Sequence, residues 1–304
     1  METNISKPSA SNTDLPAKKI GKVRGGYMVI TESLRLLNRN KSIMIFPLIA
    51  AIISWSLVVV CAVIYYFFGY NVGVGGSQFA GNKIEREAII YFSFFLVYLV
   101  LVFVASFFQA GLISIVSAQI SGRKMSFGQG MNNAANHAGK IFLWSLVAAT
   151  AGIIMDIVNN KLKLAGRIST FIFGIAWGIV TFFIVPVLVL ENETIGASMK
   201  RSGQIFKDKW GETLIANIST TFYSMLILAI GFVLFSVFLL LANPSTSLII
   251  ISLVLFLVFA LAVILLFSTI EGIYRVVLYE YAAHNIISDT FSKELIINAI
   301  KKTN

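Results

Sequence analysis

IMIFPLIAAIISWSLVVVCAVIYYFFGY, residues 43–70, runs its whole length without a charged side chain. A helix rises about 1.5 Å per residue and the bilayer's hydrocarbon core is about 30 Å thick, so roughly 20 apolar residues cross it. This stretch suffices, and AIIYFSFFLVYLVLVFVASFFQAGLISIVS at 88–117 matches it. Four further apolar runs follow at 141–158, 168–190, 213–242 and 247–270. The fold expected is therefore an all-α integral membrane protein with six transmembrane helices. A chain of 304 residues that is 57% hydrophobic and 12% charged leaves no room for a large soluble domain beside them.

Residues 1–19 are polar and lack an apolar signal-peptide core, so they read as a disordered cytoplasmic tail. Residues 20–303 then form a single six-helix transmembrane domain. The net charge of +10 could suggest nucleic acid, so its placement decides its meaning. With an even number of spans, 19 of the 24 Lys and Arg fall on the side of the two termini. They precede the first run, follow the second and fourth, and follow the sixth. Lys83, Arg86, Lys161, Lys163 and Arg167 fall on the other side. This asymmetry obeys the positive-inside rule with both termini cytoplasmic. The basicity is topological, the expected partners are anionic lipids of the cytoplasmic leaflet, and nucleic acid is not among them. Cys61 is the single cysteine, which excludes an intramolecular disulfide.

The connectors carry a second pattern. Before spans one, three and five, on the cytoplasmic side, the spacing predicts amphipathic helices. The third is the clearest, at 195–210. Ile195, Met199, Ser202, Phe206 and Trp210 share one face at 100° per residue, with Lys200, Arg201, Gln204, Lys207 and Asp208 opposite. A helix of this kind suits the head-group boundary. Packing on the ends of neighbouring spans is the plainer alternative, and the two are compatible. Lys200, Arg201, Lys207, Lys209 and Trp210 are the candidate lipid head-group residues. In the first connector, residues 27–41, Tyr27, Ile30, Leu34 and Leu37 oppose Glu32, Arg35 and Arg39. The second begins Ser126-Phe-Gly-Gln129, the spacing of a capping box. The chain thus reads as three units, each an amphipathic helix followed by a transmembrane hairpin.

Within the spans, Gly174 and Gly178 form a GxxxG pair, and Ala148 and Gly152 repeat the small-residue spacing. Both are expected to bring spans three and four together. Pro186 removes a backbone donor near the inner end of span four and should kink it there, a candidate hinge. Glu271 and Arg275 stand four apart at the inner end of span six, the spacing of a helix-surface ion pair. Asn217 and Ser224 belong to a polar inner third of span five that is expected to face a bundle interior or a wet vestibule.

His137 and His284 have no cysteine or paired carboxylate at ligand spacing, so no metal or other cofactor is expected. Phosphate loops, nucleotide fingerprints and nucleophile elbows are absent from the sequence, which gives an enzyme no positive support. Trp144–Gly152, Phe182–Glu191, Ser198–Ser202 and Trp210-Gly-Glu212, closing with Leu278–Ala282, resemble a prokaryotic family of multi-span membrane proteins, domain of unknown function 6159. The resemblance runs from about residue 20 to 300 and is most specific between 140 and 215. It implies six spans and a prokaryotic cell membrane, and it implies no activity. The leading expectation is a non-enzymatic multi-pass cell-membrane protein that organises lipid or a membrane complex through its basic amphipathic helices. The alternative is a transporter or channel, with Asn217, Ser224, Glu271 and Arg275 at a vestibule or gate. A homo-oligomer or a membrane-complex partner is compatible with either.

Overall fold

The computed structural model describes residues 22–70, 83–161, 163–210, 218–242, 245–286, 289 and 291. In chain order the α-helices are α1 (Lys22–Arg39), α2 (Ile45–Ile64), α3 (Lys83–Ile120), α4 (Phe127–Asn136) and α5 (Ala138–Lys161), followed by α6 (Lys163–Thr181), α7 (Ile184–Pro186), α8 (Ile195–Trp210), α9 (Ile218–Ala242) and α10 (Thr246–His284). No strand occurs among the described residues. Six helical stretches are long and apolar enough to cross a membrane: Lys41–Phe67, Tyr91–Ile120, Ala138–Asp156, Phe171–Glu191, Tyr223–Leu241 and Thr246–His284. The six spans read from the sequence are all present, and the protein is a multi-pass membrane protein. The polar tail expected at 1–19 lies outside the described residues.

Helices occupy all three connectors that the spacing marked: α1, α4 and α8. α4 starts at the expected capping box. Ser126 Oγ accepts from the Gln129 N–H at 3.3 Å, and Gln129 Oε1 accepts from the Ser126 N–H at 2.8 Å. Two orphan donors at the helix start are thereby satisfied together. α2 is entered through a 3-10 turn, Lys41–Met44, with Asn40 as its cap. Asn40 Oδ1 accepts from Ser42, and its Nδ2 donates to the Met125 carbonyl just ahead of α4.

Burial is concentrated at one end of the bundle. The core joins Val29, Leu36 and Leu37 of α1, Ala134 of α4 and Ile205 and Phe206 of α8 to the nearby ends of α3, α5 and α10. The far halves of the spans instead present apolar surface outward, among them Trp55, Tyr65, Phe94, Phe171, Leu240 and Leu241. Hydrocarbon solvates such a surface at no cost, so it requires no protein partner. Long helices link the two ends. At about 1.5 Å per residue, the 39 residues of α10 extend roughly 58 Å, nearly twice the hydrocarbon thickness.

Part of that length lies beyond span six, which was expected to end at Ile270: α10 itself continues to His284. Glu271 does not end it, because Arg275 one turn later donates to it at 2.8 Å, and Ile273 to Glu280 are largely buried in the packed end. The inward face of α1 is also rotated from expectation. Glu32 and Ser33 are buried beside Leu36, whereas Tyr27 is 64% exposed. Gln119 of α3 donates to the Leu36 carbonyl of α1 at 3.0 Å.

α5 and α6 pack as the expected hairpin, with the rings of Trp144 and Trp177 stacked 5.9 Å apart, and the small residues lie unequally at the contact. A Cβ on Gly178 would meet nothing within 4 Å, and one on Gly174 only Met155 at 3.6 Å. Ala148 is buried, and Gly152 makes its close approach to Tyr98 of α3 rather than to α6. The tight crossings lie at other glycines. A Cβ on Gly111 would collide with the Phe46 ring, and one on Gly130 would stand 3.0 Å from the Gly111 carbonyl oxygen.

Candidate functional site

Span four is where sequence and structure part most. α6 ends at Thr181, two residues follow in a turn, and the chain resumes as α7 and a π-helical turn, Val187–Glu191. Pro186 supplies no N–H to the carbonyl four residues back, and the break falls over that turn, at Phe182 and Phe183. The N–H of Phe182 reaches only the Ile179 carbonyl, at 3.5 Å. Phe183 sits at φ −107°, ψ 15°, outside the helical well, and its N–H donates to Ser202 Oγ of α8 at 3.0 Å. Irregular backbone at membrane depth survives only where protein encloses it. Here it does, because Phe183, Ile184, Val187 and Leu188 are at most 2% exposed.

The segment's other end is fastened as well. Asn192 takes the left-handed conformation at φ 57°, and Lys140 Nζ donates to its backbone carbonyl and to its Oδ1, the latter at 2.7 Å. A cation at a helix C-terminus also meets the negative end of the helix dipole. Glu191 receives Arg201 Nε at 3.2 Å from α8 and the Tyr279 hydroxyl at 2.7 Å from α10. α5, α8 and α10 therefore converge on one short segment of span four.

A second polar group lies at the α3–α10 contact. Ser117 donates to Glu280 Oε1 at 2.5 Å, and His284 Nδ1 lies 3.0 Å from Oε2. Glu280 is 4% exposed, so these bonds take the place of solvent around its carboxylate. The carboxylate stands between hydroxyl and imidazole, so His284 is not placed to take the Ser117 proton. A base-activated nucleophile requires the imidazole in the middle. Among the described residues no group of three His, Cys, Asp or Glu could hold a metal ion.

The residues singled out from the sequence separate into distinct settings. Lys200 and Lys207 are exposed on the outer face of α8, while Arg201 is turned toward Glu191. The side chains of Lys209 and Trp210 lie outside the described set, as does Asn217. Phe206 is 8% exposed and meets Phe182 edge-on at 5.9 Å, so its ring serves the core. Arg275 pairs with Glu271 as the spacing predicted and also lies over the Phe182 ring at 5.1 Å. Ser224 belongs to a peripheral span: none of the Tyr223–Leu241 window is buried, and α9 packs chiefly on α10 and α1. The rest of the polar third, for which a bundle interior or a wet vestibule was expected, lies largely outside the described side chains. Pro186 is buried beside the break it causes. Sequence reading missed Ser202, Ser117, Lys140 and Tyr279. Only the proline signalled that the backbone bonding of span four would be interrupted here.

A family model described as a family of unknown function, DUF6159, matches residues 88–288, and the chain belongs to that family. No curated protein and no solved structure matches the chain.

Proposed function

We propose, since the family itself supplies no activity, that this is a non-enzymatic protein of a prokaryotic cell membrane that holds anionic lipid at the cytoplasmic surface. The observation that carries the reading is the seating of α8. Ser198, Ser202, Ile205 and Phe206 are buried against the bundle, which leaves Lys200, Gln204 and Lys207 exposed on the other side. With its apolar side used internally, α8 would meet lipid through charge at the phosphates rather than by inserting rings among acyl chains. The positive-inside asymmetry supports a cytoplasmic position for this face, and at an anionic leaflet each surface Lys contributes about 1 kcal/mol. Reversing both charges by Lys200→Glu with Lys207→Glu is expected to reduce retention of phosphatidylglycerol at least about tenfold. Native mass spectrometry of protein extracted from mixed vesicles reads this directly. Equal lipid retention in the double variant sinks the proposal.

One observation favours transport as a second reading. Interrupted spans line the substrate paths of many transporters, and span four is interrupted. That reading needs water at Ser224. A cysteine placed there, with Cys61→Ser, must then react with aqueous thiol reagents, and an inert thiol excludes it.

A further inference from the structure

The break in span four and the seating of α8 share their fasteners. Ser202 Oγ is the acceptor for the Phe183 N–H at 3.0 Å, and Arg201, the preceding residue of α8, holds Glu191 at the segment's far end. Ser202 is fully buried, away from bulk solvent. A buried N–H deprived of its acceptor carries its whole desolvation penalty. If α8 lifts, Phe183 must find another acceptor, and the nearest in chain terms is the α6 carbonyl it lost at the break. What opposes that return is the Pro186 ring, which crowds the Phe182 carbonyl when the helix is continuous.

We propose that α8 and the break form one two-state latch. With α8 seated, span four is broken and Ser202 completes its backbone bonding. With α8 lifted, the Phe183 N–H returns to α6 and span four runs on as one helix. One hydrogen bond replaces another, so the states differ mainly in the α8 contacts, in the Arg201–Glu191 pair and in the crowding of Pro186 against the Phe182 carbonyl. The latch stands whether or not Lys200 and Lys207 meet lipid, since none of its contacts uses them.

The test employs the full chain in nanodiscs with Cys61→Ser. A Cβ on Gly203 lies 3.7 Å from Val180 Cγ2, so Val180→Cys with Gly203→Cys forms a disulfide only while α8 is seated. Ser202→Ala is expected to slow that cross-link about fivefold or more, with Ser202→Thr restoring it because the hydroxyl remains. Pro186→Ala, which gives span four back its missing donor, is expected to slow it likewise. An unchanged rate in Ser202→Ala overturns the latch. So does a slowed Ser202→Ala beside an unchanged Pro186→Ala, since α8 would then loosen independently of the break. Should the variants fail to fold, hydrogen exchange of the unaltered chain decides. Bonded to Ser202 in one state and to α6 in the other, the Phe183 amide must stay protected at least about tenfold beyond those of Ile205 and Phe206, and opening together with them refutes its return to α6.

Discussion

At the scale of single residues, the least replaceable groups are small hydroxyls that serve a buried partner. Ser117 and Ser236 are both span serines whose hydroxyls are hydrogen-bonded, yet they differ in what depends on them. Ser236 donates to the Phe232 carbonyl of its own helix, on an exposed face, and that carbonyl keeps its backbone partner without it. Ser117 donates to Glu280, whose carboxylate is sealed in the core. Hydrogen bonds to charged groups contribute about 1.5–3 kcal/mol, and most exposed substitutions stay within about 0.5 kcal/mol. Ser117→Ala is therefore expected to lose about 1.5–3 kcal/mol in detergent unfolding, and Ser236→Ala almost nothing. In a Glu280→Gln background the Ser117→Ala loss should shrink to about 1 kcal/mol, since the acceptor is then uncharged. An equal loss in both backgrounds would assign the effect to packing instead.

At the scale of helices, the spans were legible because crossing a bilayer is a matter of length and composition. Contact faces were not, because they depend on which neighbour arrives. The Gly174–Gly178 pair has the spacing of a packing motif but open space at Gly178, while a Cβ on Gly130 of α4 would stand 3.0 Å from the Gly111 carbonyl oxygen of α3 and one on Gly111 would collide with Phe46. The Glu271–Arg275 pair was legible from its spacing, whereas the continuation of α10 to His284 depends on the packed end it enters. The break in span four was legible only as Pro186, since the acceptor that completes it lies on another helix. The glycine contrast is measurable. Phe46 is fully buried and lies 4.7 Å from the Phe127 ring, so it has little freedom to retreat from a new methyl group. Gly111→Ala should destabilise by about 1–3 kcal/mol through overpacking. Gly178→Ala should be neutral or stabilise by up to about 1 kcal/mol, because alanine is the better helix former. If Gly178→Ala proves the more damaging, α5 and α6 pack more closely than the stacked tryptophans indicate.

At the scale of the molecule, one end is a folded core and the other is a set of apolar helices suited to lipid. The basic residues favour the core end, where Arg35, Arg39, Lys41, Arg123, Lys124, Lys140, Lys200 and Lys207 lie on or beside the packed connectors. Translocating so many positive charges during insertion is what the positive-inside rule forbids, so the core end is expected in the cytoplasm. Three exposed positions report on it: Ser121, Gln204 and Ile286. Leu248, 51% exposed near the start of α10, reports on the opposite end. Single cysteines at these sites, with Cys61→Ser, should divide cleanly under a membrane-impermeant maleimide. The first three are expected to label in inverted vesicles and stay silent in intact spheroplasts, and Leu248→Cys should do the reverse. The opposite pattern would put 19 of the 24 basic residues outside the cytoplasm. It would remove the anionic leaflet from beneath α8 and with it the physical basis for lipid holding, while the α8 latch, which uses no lipid contact, would be untouched.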